Sequence, residues 1–344
     1  MSTFIGIDYP TWWYLIVGGL FSGYAILDGF DLGAGAWHLF FNKEESRRIA
    51  LNAIGPVWDG NEVWLVIGGG ALFAGFPVVY ATLFSFMYIP FMLFLAALIF
   101  RAVSIEFRSK EPMKWWRQMW DVSYSVSSIL LAVLLGIVLG NVLQGIAIGP
   151  NYSFQGHWLQ FLNPYAIMVG LSTLALCMMH GAIYLTMKTE GRLFAKITIL
   201  LRNSIVFFIT SFGLVSLYTL IYLPHLVERL KSHPAFFIFP ALAFLSIANI
   251  PRLVAKRRFR IAFLFSSLTV SLLLALVALG LYPTLLVSTV NSAYDITIYN
   301  GASSNKSLGI MLLFAAIGAP LVLSYTAFVF YTFRGKVKLD ETSY

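Results

Sequence analysis

Asp28-Gly29-Phe30-Asp31-Leu32-Gly33 and Pro56-Val57-Trp58-Asp59-Gly60-Asn61-Glu62-Val63-Trp64 decide how this chain reads. Both stretches lie inside long apolar segments, so four carboxylates sit where a membrane-spanning helix would run. A charged side chain at the bilayer centre costs about 2.5–3.5 kcal/mol on insertion scales, and each Leu, Ile, Phe or Val returns only about 0.3–0.6. Two acids on a lipid-facing helix would cancel most of its hydrophobic gain. These side chains are therefore expected to face protein, or water held by protein, and to mark a functional site.

The composition agrees with a membrane reading. Of 344 residues, 59% are hydrophobic and 11% are charged, against about 25% charged in soluble domains. The net charge of +8 points to loops facing the cytoplasm and not to nucleic acid, because basic residues gather on that side of membrane proteins. Cys177 is the single cysteine, which excludes an intrachain disulfide and a cysteine-rich metal or iron–sulfur site. Residues 1–11 carry no Lys or Arg, so the first apolar stretch does not read as a cleaved signal peptide.

With about 20 apolar residues needed per crossing, nine spans are expected, at 12–40, 53–75, 77–100, 118–145, 163–187, 198–224, 234–253, 261–286 and 307–333. The loops after spans one, three, five and seven, together with the adjoining span ends, and the C-terminal tail hold 3, 5, 4, 5 and 3 Lys or Arg, which is 20 of the 23. That asymmetry predicts an outside N-terminus and an inside C-terminus. Trp12, Trp13, Trp115, Trp116 and Trp158 fall near span ends, where interfacial aromatics sit.

The helical rise predicts the depth of the acids. Asp31 and Asp28 lie about 15 and 20 Å from the inner end of span one, and Asp59 and Glu62 about 12 and 16 Å from that of span two. Antiparallel packing would bring all four to similar depth. Each pair is spaced i, i+3 and shares a helix face. Close carboxylates in low dielectric cannot all ionise, which suits a proton relay. The same acids also suit structural pairing with Arg or Lys, or a cation site of oxygen ligands. Asp28-Gly29 and Asp59-Gly60 are candidate points of local unwinding. Arg101 and Asp121 flank the basic loop between spans three and four, and either reach inward to the acids or snorkel to the interface. His180 is the one histidine well inside a span; with Cys177 it is better read as a polar interhelical contact than as a metal or haem ligand.

These residues carry a family resemblance. Asp28-Gly-Phe-Asp-Leu-Gly33 and Trp58-Asp-Gly-Asn-Glu-Val-Trp-Leu65 resemble signatures of subunit II of the cytochrome bd-type quinol oxidases. So do Gly69-Gly-Ala-Leu-Phe-Ala-Gly-Phe-Pro77, Phe100-Arg-Ala-Val-Ser-Ile-Glu-Phe-Arg108, Met119-Trp-Asp121 and Gly140-Asn-Val-Leu-Gln-Gly145. The resemblance implies an all-α membrane fold of two four-helix bundles (residues 1–147 and 148–290) and a peripheral ninth helix within 291–344. It implies a larger partner subunit that ligates two b-type haems and haem d, or a further b-type haem, and carries the quinol-oxidising loop. A small single-helix subunit is a further possible partner. This chain itself would ligate no haem or metal. The complex would sit in the bacterial cytoplasmic membrane, oxidise quinol and reduce O₂ to water. By the same resemblance Asp59 would be the main proton-relay residue, supported by Asp28 and Asp31, with Trp58 and Trp64 lining the interior and an O₂ route near Trp64; Glu62 joins the expected pathway through its place among the four acids. The rival class is a proton- or cation-coupled transporter. Transporters favour repeated halves with broken helices in corresponding positions, whereas nine spans do not divide equally and the acid pairs occur only in the first hairpin.

Overall fold

The computed structural model describes residues 3–157, 159–232 and 234–339; the expectation for Trp158 lies outside them. The described residues form twelve α-helices: α1 (Tyr9–Trp37), α2 (Glu44–Ile54), α3 (Trp58–Gly75), α4 (Pro77–Phe86), α5 (Tyr88–Phe107), α6 (Lys114–Gln144), α7 (Pro164–Lys188), α8 (Gly191–Tyr222), α9 (Pro224–Ser232), α10 (Ile238–Ala255), α11 (Phe259–Leu281) and α12 (Asn305–Thr332). Two short antiparallel hairpins, Thr3–Phe4 with Ile7–Asp8 and Thr284–Leu286 with Ile296–Thr297, are the strands among the described residues. Among the described residues eight helices are long and apolar enough to cross a membrane, and nine if the bent pair α3 and α4 counts as one span.

Local chemistry explains the ends. The Asp8 carboxylate caps α1 by accepting from the Thr11 N–H, with Pro10 in the first turn, where its missing donor costs nothing. Asn163 caps α7 in the same way and Pro164 follows it. Between α1 and α3 the expected loop is in part the short amphipathic helix α2, which buries Ala50, Leu51, Ala53 and Ile54 and carries Glu44 and Glu45 in its first turn. Gly55-Pro56-Val57 then breaks the chain, so the second span begins at Trp58 and not at 53.

Two further expectations are corrected. The helix is continuous through Asp28-Gly29; the break in the hairpin falls before Asp59-Gly60. The third span does not start at 77. Pro77 has no N–H to continue α3 and restricts the residue before it, and Phe76 leaves helical geometry at φ −133°, ψ 66°. α4 departs from α3 at 117°, and α5 from Tyr88 forms the next crossing.

α1 is the hub. It packs against α3, α6, α7, α11 and α12. Its crossing with α7 is backbone on backbone: a Cβ on Gly181 would lie 2.6 Å from Ala34 N, and one on Gly33 would collide with the Cys177 carbonyl. Small residues of this kind let membrane helices approach closely. The largest core cluster runs from Phe30, Trp37 and Phe41 on the α1 side through Ile54 to Tyr184, Leu201 and Ile250. α12 is the least buried span, with 6% of its most apolar stretch covered, and is tied to α1 by Trp13 Nε1 donating to the Leu308 carbonyl at 2.9 Å. The tail folds over the α7–α8 turn, where Lys336 Nζ donates to the carbonyls of Thr186 and Thr189 at 3.1 and 2.8 Å.

Candidate functional site

At the centre of the first helices, Arg101 on α5 reaches inward and is 0% exposed. Its two terminal nitrogens grip Asp28 on α1, Nη2 to Oδ1 at 2.6 Å and Nη1 to Oδ2 at 3.1 Å. Glu62 on α3 approaches the same guanidinium at 3.7 Å. Such fork-to-fork pairing is the strong form of a charge-assisted hydrogen bond. Burial makes it essential: removing one partner of a buried pair costs about 3–5 kcal/mol because the other charge is stranded.

Asp31, one turn along α1, is also fully buried. Its Oδ2 accepts from Asn61 Nδ2 at 2.7 Å, and Oδ1 has no hydrogen-bond partner. Asn61 also reaches the Leu27 carbonyl at 3.2 Å and so pins α3 to α1. Sequence reasoning passed over this residue. Its signal was an amide beside Glu62 in an otherwise apolar span.

The four acids do not converge on one interior point. Between Asp59 and Glu62, Asn61 is the α3 side chain turned to the core. At 100° per residue, Glu62 falls to the side and is 17% exposed, while Asp59 lies on the far face and is exposed with Gly60, Val63 and Val66. Asp28 and Glu62 therefore meet at Arg101, Asp31 stands beside them on Asn61, and Asp59 opens to the surface of the chain. Trp58 is buried at the start of α3. Trp64 lies against α1, its ring 2.6 Å from where a Gly23 side chain would start.

Asp121 is buried but does not reach this cluster. It organises a second one at the α1–α2 junction. Its carboxylate bonds His38 Nε2, Arg47 Nη1 at 2.9 Å and Arg108 through Nε at 2.6 Å and Nη2 at 3.2 Å. Glu44 closes the group by accepting from Arg108 at 2.9 Å and Arg117 at 3.4 Å. Burial works against the Arg108 charge, and the hydrogen bonds to Asp121 and Glu44 outweigh it, so its pKa is raised above the ordinary arginine value. This cluster joins α1, α2, α5 and α6 at one end of the molecule. It was not foreseen beyond Asp121, because its members are scattered over some 80 residues.

His180 is a polar contact between three helices. Its Nδ1 pairs with Ser266 Oγ at 2.6 Å, its Nε2 donates to the Ile26 carbonyl at 3.0 Å, and its ring stacks on Phe263 at 4.7 Å between centroids. Neither nitrogen is left for a metal. Cys177 is a free, buried thiol. Among the described residues no three His, Cys, Asp or Glu side chains are grouped to hold a metal ion.

Fold and site together define a multi-pass membrane protein that keeps ion pairs inside its helical packing, with one acid-bearing helix face open. Comparison with known proteins specifies the family. The family profile of cytochrome bd terminal oxidase subunit II matches residues 9–333. The chain is 30% identical over 361 residues to cytochrome bd-I ubiquinol oxidase subunit 2 of Escherichia coli K12, covering 96% of this chain and 95% of that one. It is 31% identical over 333 residues to cytochrome bd ubiquinol oxidase subunit 2 of Bacillus subtilis 168, covering 96% and 97%. The bd oxidase structure from Geobacillus thermodenitrificans superposes with a TM-score of 0.76 at 20% identity, over 94% of this chain and 98% of the other. The chain belongs to the cytochrome bd terminal oxidase subunit II family. It is thus a subunit of an oxidoreductase complex, and the transporter reading falls away.

Proposed function

We propose that this chain is the subunit of a bd-type quinol:oxygen oxidoreductase that ligates no haem and carries protons from the cytoplasm towards the partner's oxygen-reducing centre. O₂ reduction consumes protons, and an interior cluster of acids with one member at the surface is what proton delivery through a membrane requires. The observation that carries the reading is Glu62: it touches the buried Arg101–Asp28 pair at 3.7 Å and stands one turn from exposed Asp59.

In this reading Asp59 and Glu62 move the proton. Asp28, held by Arg101, supplies a fixed negative charge, and the Asp31 carboxylate is a further proton acceptor. Arg101 keeps the interior charge balanced as protons come and go. Haem chemistry is assigned to the larger partner subunit, with b-type haems and haem d or a further b-type haem, as the resemblance implies; in this chain His180 is engaged at both nitrogens, by Ser266 and Ile26. Quinol oxidation belongs to that partner as well. A small single-helix subunit would complete the assembly, and an O₂ route would pass near Trp64.

We orient the chain with its N-terminus outside and C-terminus inside, in the bacterial cytoplasmic membrane, on the weight of 19 of 23 basic residues, Arg101 inside α5 not counted, that lie in or beside the loops after alternate spans and in the tail. Residues 1–147 then form a bundle of α1, α3, α5 and α6, residues 148–290 a bundle of α7, α8, α10 and α11, and residues 291–344 the outer loop, peripheral α12 and tail.

The test is Asp59→Asn in the purified complex, read as steady-state O₂ consumption with quinol. A loss of about tenfold or more is expected for a relay residue, with the partner's haem spectrum intact. Wild-type turnover would remove Asp59 from the route.

A further inference from the structure

The inner-end cluster around Asp121 and the acid cluster around Asp31 are joined by facing stripes of two helices. On α1, Asp31, Gly35 and His38 stand at i, i+4 and i+7, and His38 still has helical geometry at φ −56°, ψ −44°. On α6, Asp121, Tyr124 and Ser128 stand at i, i+3 and i+7. Both spacings put the three residues on one helix face. Gly35 is what lets the faces meet: a Cβ there would collide with Ser128 Oγ and lie 3.1 Å from Tyr124 Cζ. The phenol tip of Tyr124 therefore rests over α1 between Asp31 and His38, which are about 10 Å apart along the axis. The His38 and Tyr124 rings touch at 5.1 Å between centroids.

Along this line buried polar atoms lack protein partners: His38 Nδ1, Tyr124 Oη and Asp31 Oδ1, with Arg108 Nη1 at one end and Arg101 Nε at the other. Their residues are at most 3% exposed. An unpaired buried polar atom costs about 1–3 kcal/mol, and buried water is the usual remedy where several such atoms share a space. His38 Nδ1, Tyr124 Oη and Asp31 Oδ1 follow one another along the paired helix faces, with an arginine nitrogen at each end, and shared water would satisfy them all. Its outer end is covered by Arg47 and Glu44, which are 22% and 45% exposed.

We propose that the facing stripes of α1 and α6 form an internal proton entrance, a hydrated file running from the His38–Asp121 cluster past the Tyr124 hydroxyl to Asp31. The inference rests on the proton-carrying reading above and supplies its cytoplasmic entrance, in series with Glu62 and Asp59. His38 donates from Nε2 to Asp121, which leaves the Nδ1 lone pair to accept from water. The Tyr124 hydroxyl passes its proton to water on the Asp31 side and takes one from water on the His38 side. The Asp31 carboxylate receives the proton at Oδ1. No electron moves and no co-reactant is needed.

The test uses the intact complex in liposomes, with a pH-indicating dye and the fully reduced protein mixed with O₂. Tyr124→Phe keeps the ring over Gly35 and removes only the hydroxyl. Proton uptake is expected to slow by about tenfold or more, with a larger H₂O/D₂O rate ratio, while electron transfer among the haems and the unfolding midpoint stay at wild-type values. His38→Gln, whose amide keeps a donor for Asp121, is expected to slow uptake in the same way. Uptake within about twofold of wild type in both variants, while Asp31→Asn remains slow, would overturn the file and leave the acid cluster standing. Wild-type uptake in Asp31→Asn and Glu62→Gln as well would bring down the reading on which the file rests.

Discussion

Replacing Arg101 with Met removes the cation at the centre of the first helices and strands Asp28. Both side chains are 0% exposed, and they are joined by bonds of 2.6 and 3.1 Å. With charge centres about 4 Å apart and an effective dielectric of about 20, the lost attraction is about 4 kcal/mol. That agrees with the loss of about 3–5 kcal/mol typical of breaking a buried pair from one side. Glu62 at 3.7 Å loses its cation too, which adds to the cost. Met fills much of the arginine stem's volume, so the effect is electrostatic and not a cavity. The control is Asp28→Asn combined with Arg101→Met, which removes both charges. The pair is directly bonded, so the two changes should couple by about 2–3 kcal/mol, and the double variant should be more stable than Arg101→Met alone. The assay is equilibrium unfolding of the purified complex in mixed micelles, followed by tryptophan fluorescence. Additive losses, or an Arg101→Met protein as stable as wild type, would refute the claim that this pair carries its charges desolvated.

Other substitutions test the frame. Asp121→Asn removes the negative charge, and one of the two acceptor oxygens, shared by Arg47, Arg108 and His38; a loss of about 3–5 kcal/mol is expected, read as a lower unfolding midpoint, and an unchanged midpoint would contradict it. Gly181→Leu cannot fit beside Ala34 N and Phe30 O, so the α1–α7 crossing should fail and the protein should elute as aggregate on gel filtration; a monodisperse peak would refute the backbone contact. His180→Ala leaves Ser266 and the Ile26 carbonyl without the imidazole and should cost about 1–3 kcal/mol. His180→Gln should recover part of that, because an amide can still donate to Ile26, and equal losses in the two variants would argue against the hydrogen bonds.

Much of this was legible in the order of residues. The apolar segments mark the spans, and Asp28 and Asp31 within them turn inward, because both follow from the cost of charge in hydrocarbon; Asp59 does not, and lies exposed on the far face of α3. The i, i+3 spacing of Asp59 and Glu62 correctly puts them near one another. It does not say which way that face turns, because α3 is apolar almost all round and has no lipid-facing stripe to read. Asn61 supplies the missing phase: its bond to Asp31 rotates Asp59 outward. The turn at Phe76-Pro77 is local chemistry, but the 117° angle between α3 and α4 is not written in that local sequence. Arg101 and Asp121 looked equivalent as charges near span ends. One is met by Asp28 at its depth and goes in; the other is met by Arg108, Arg47 and His38 and stays at the junction. Pairings between residues 70 to 80 positions apart leave no periodic trace.

The central claim is that protons for oxygen reduction cross this chain from the cytoplasmic side by way of Glu62. It is tested most directly by oriented proteoliposomes that hold the dye on that side while the reduced complex meets O₂. The account predicts rapid cytoplasmic uptake in the wild type and its loss in Glu62→Gln, with the first electron-transfer step unaltered. Equal uptake by the two proteins, or uptake from the opposite side, would contradict it.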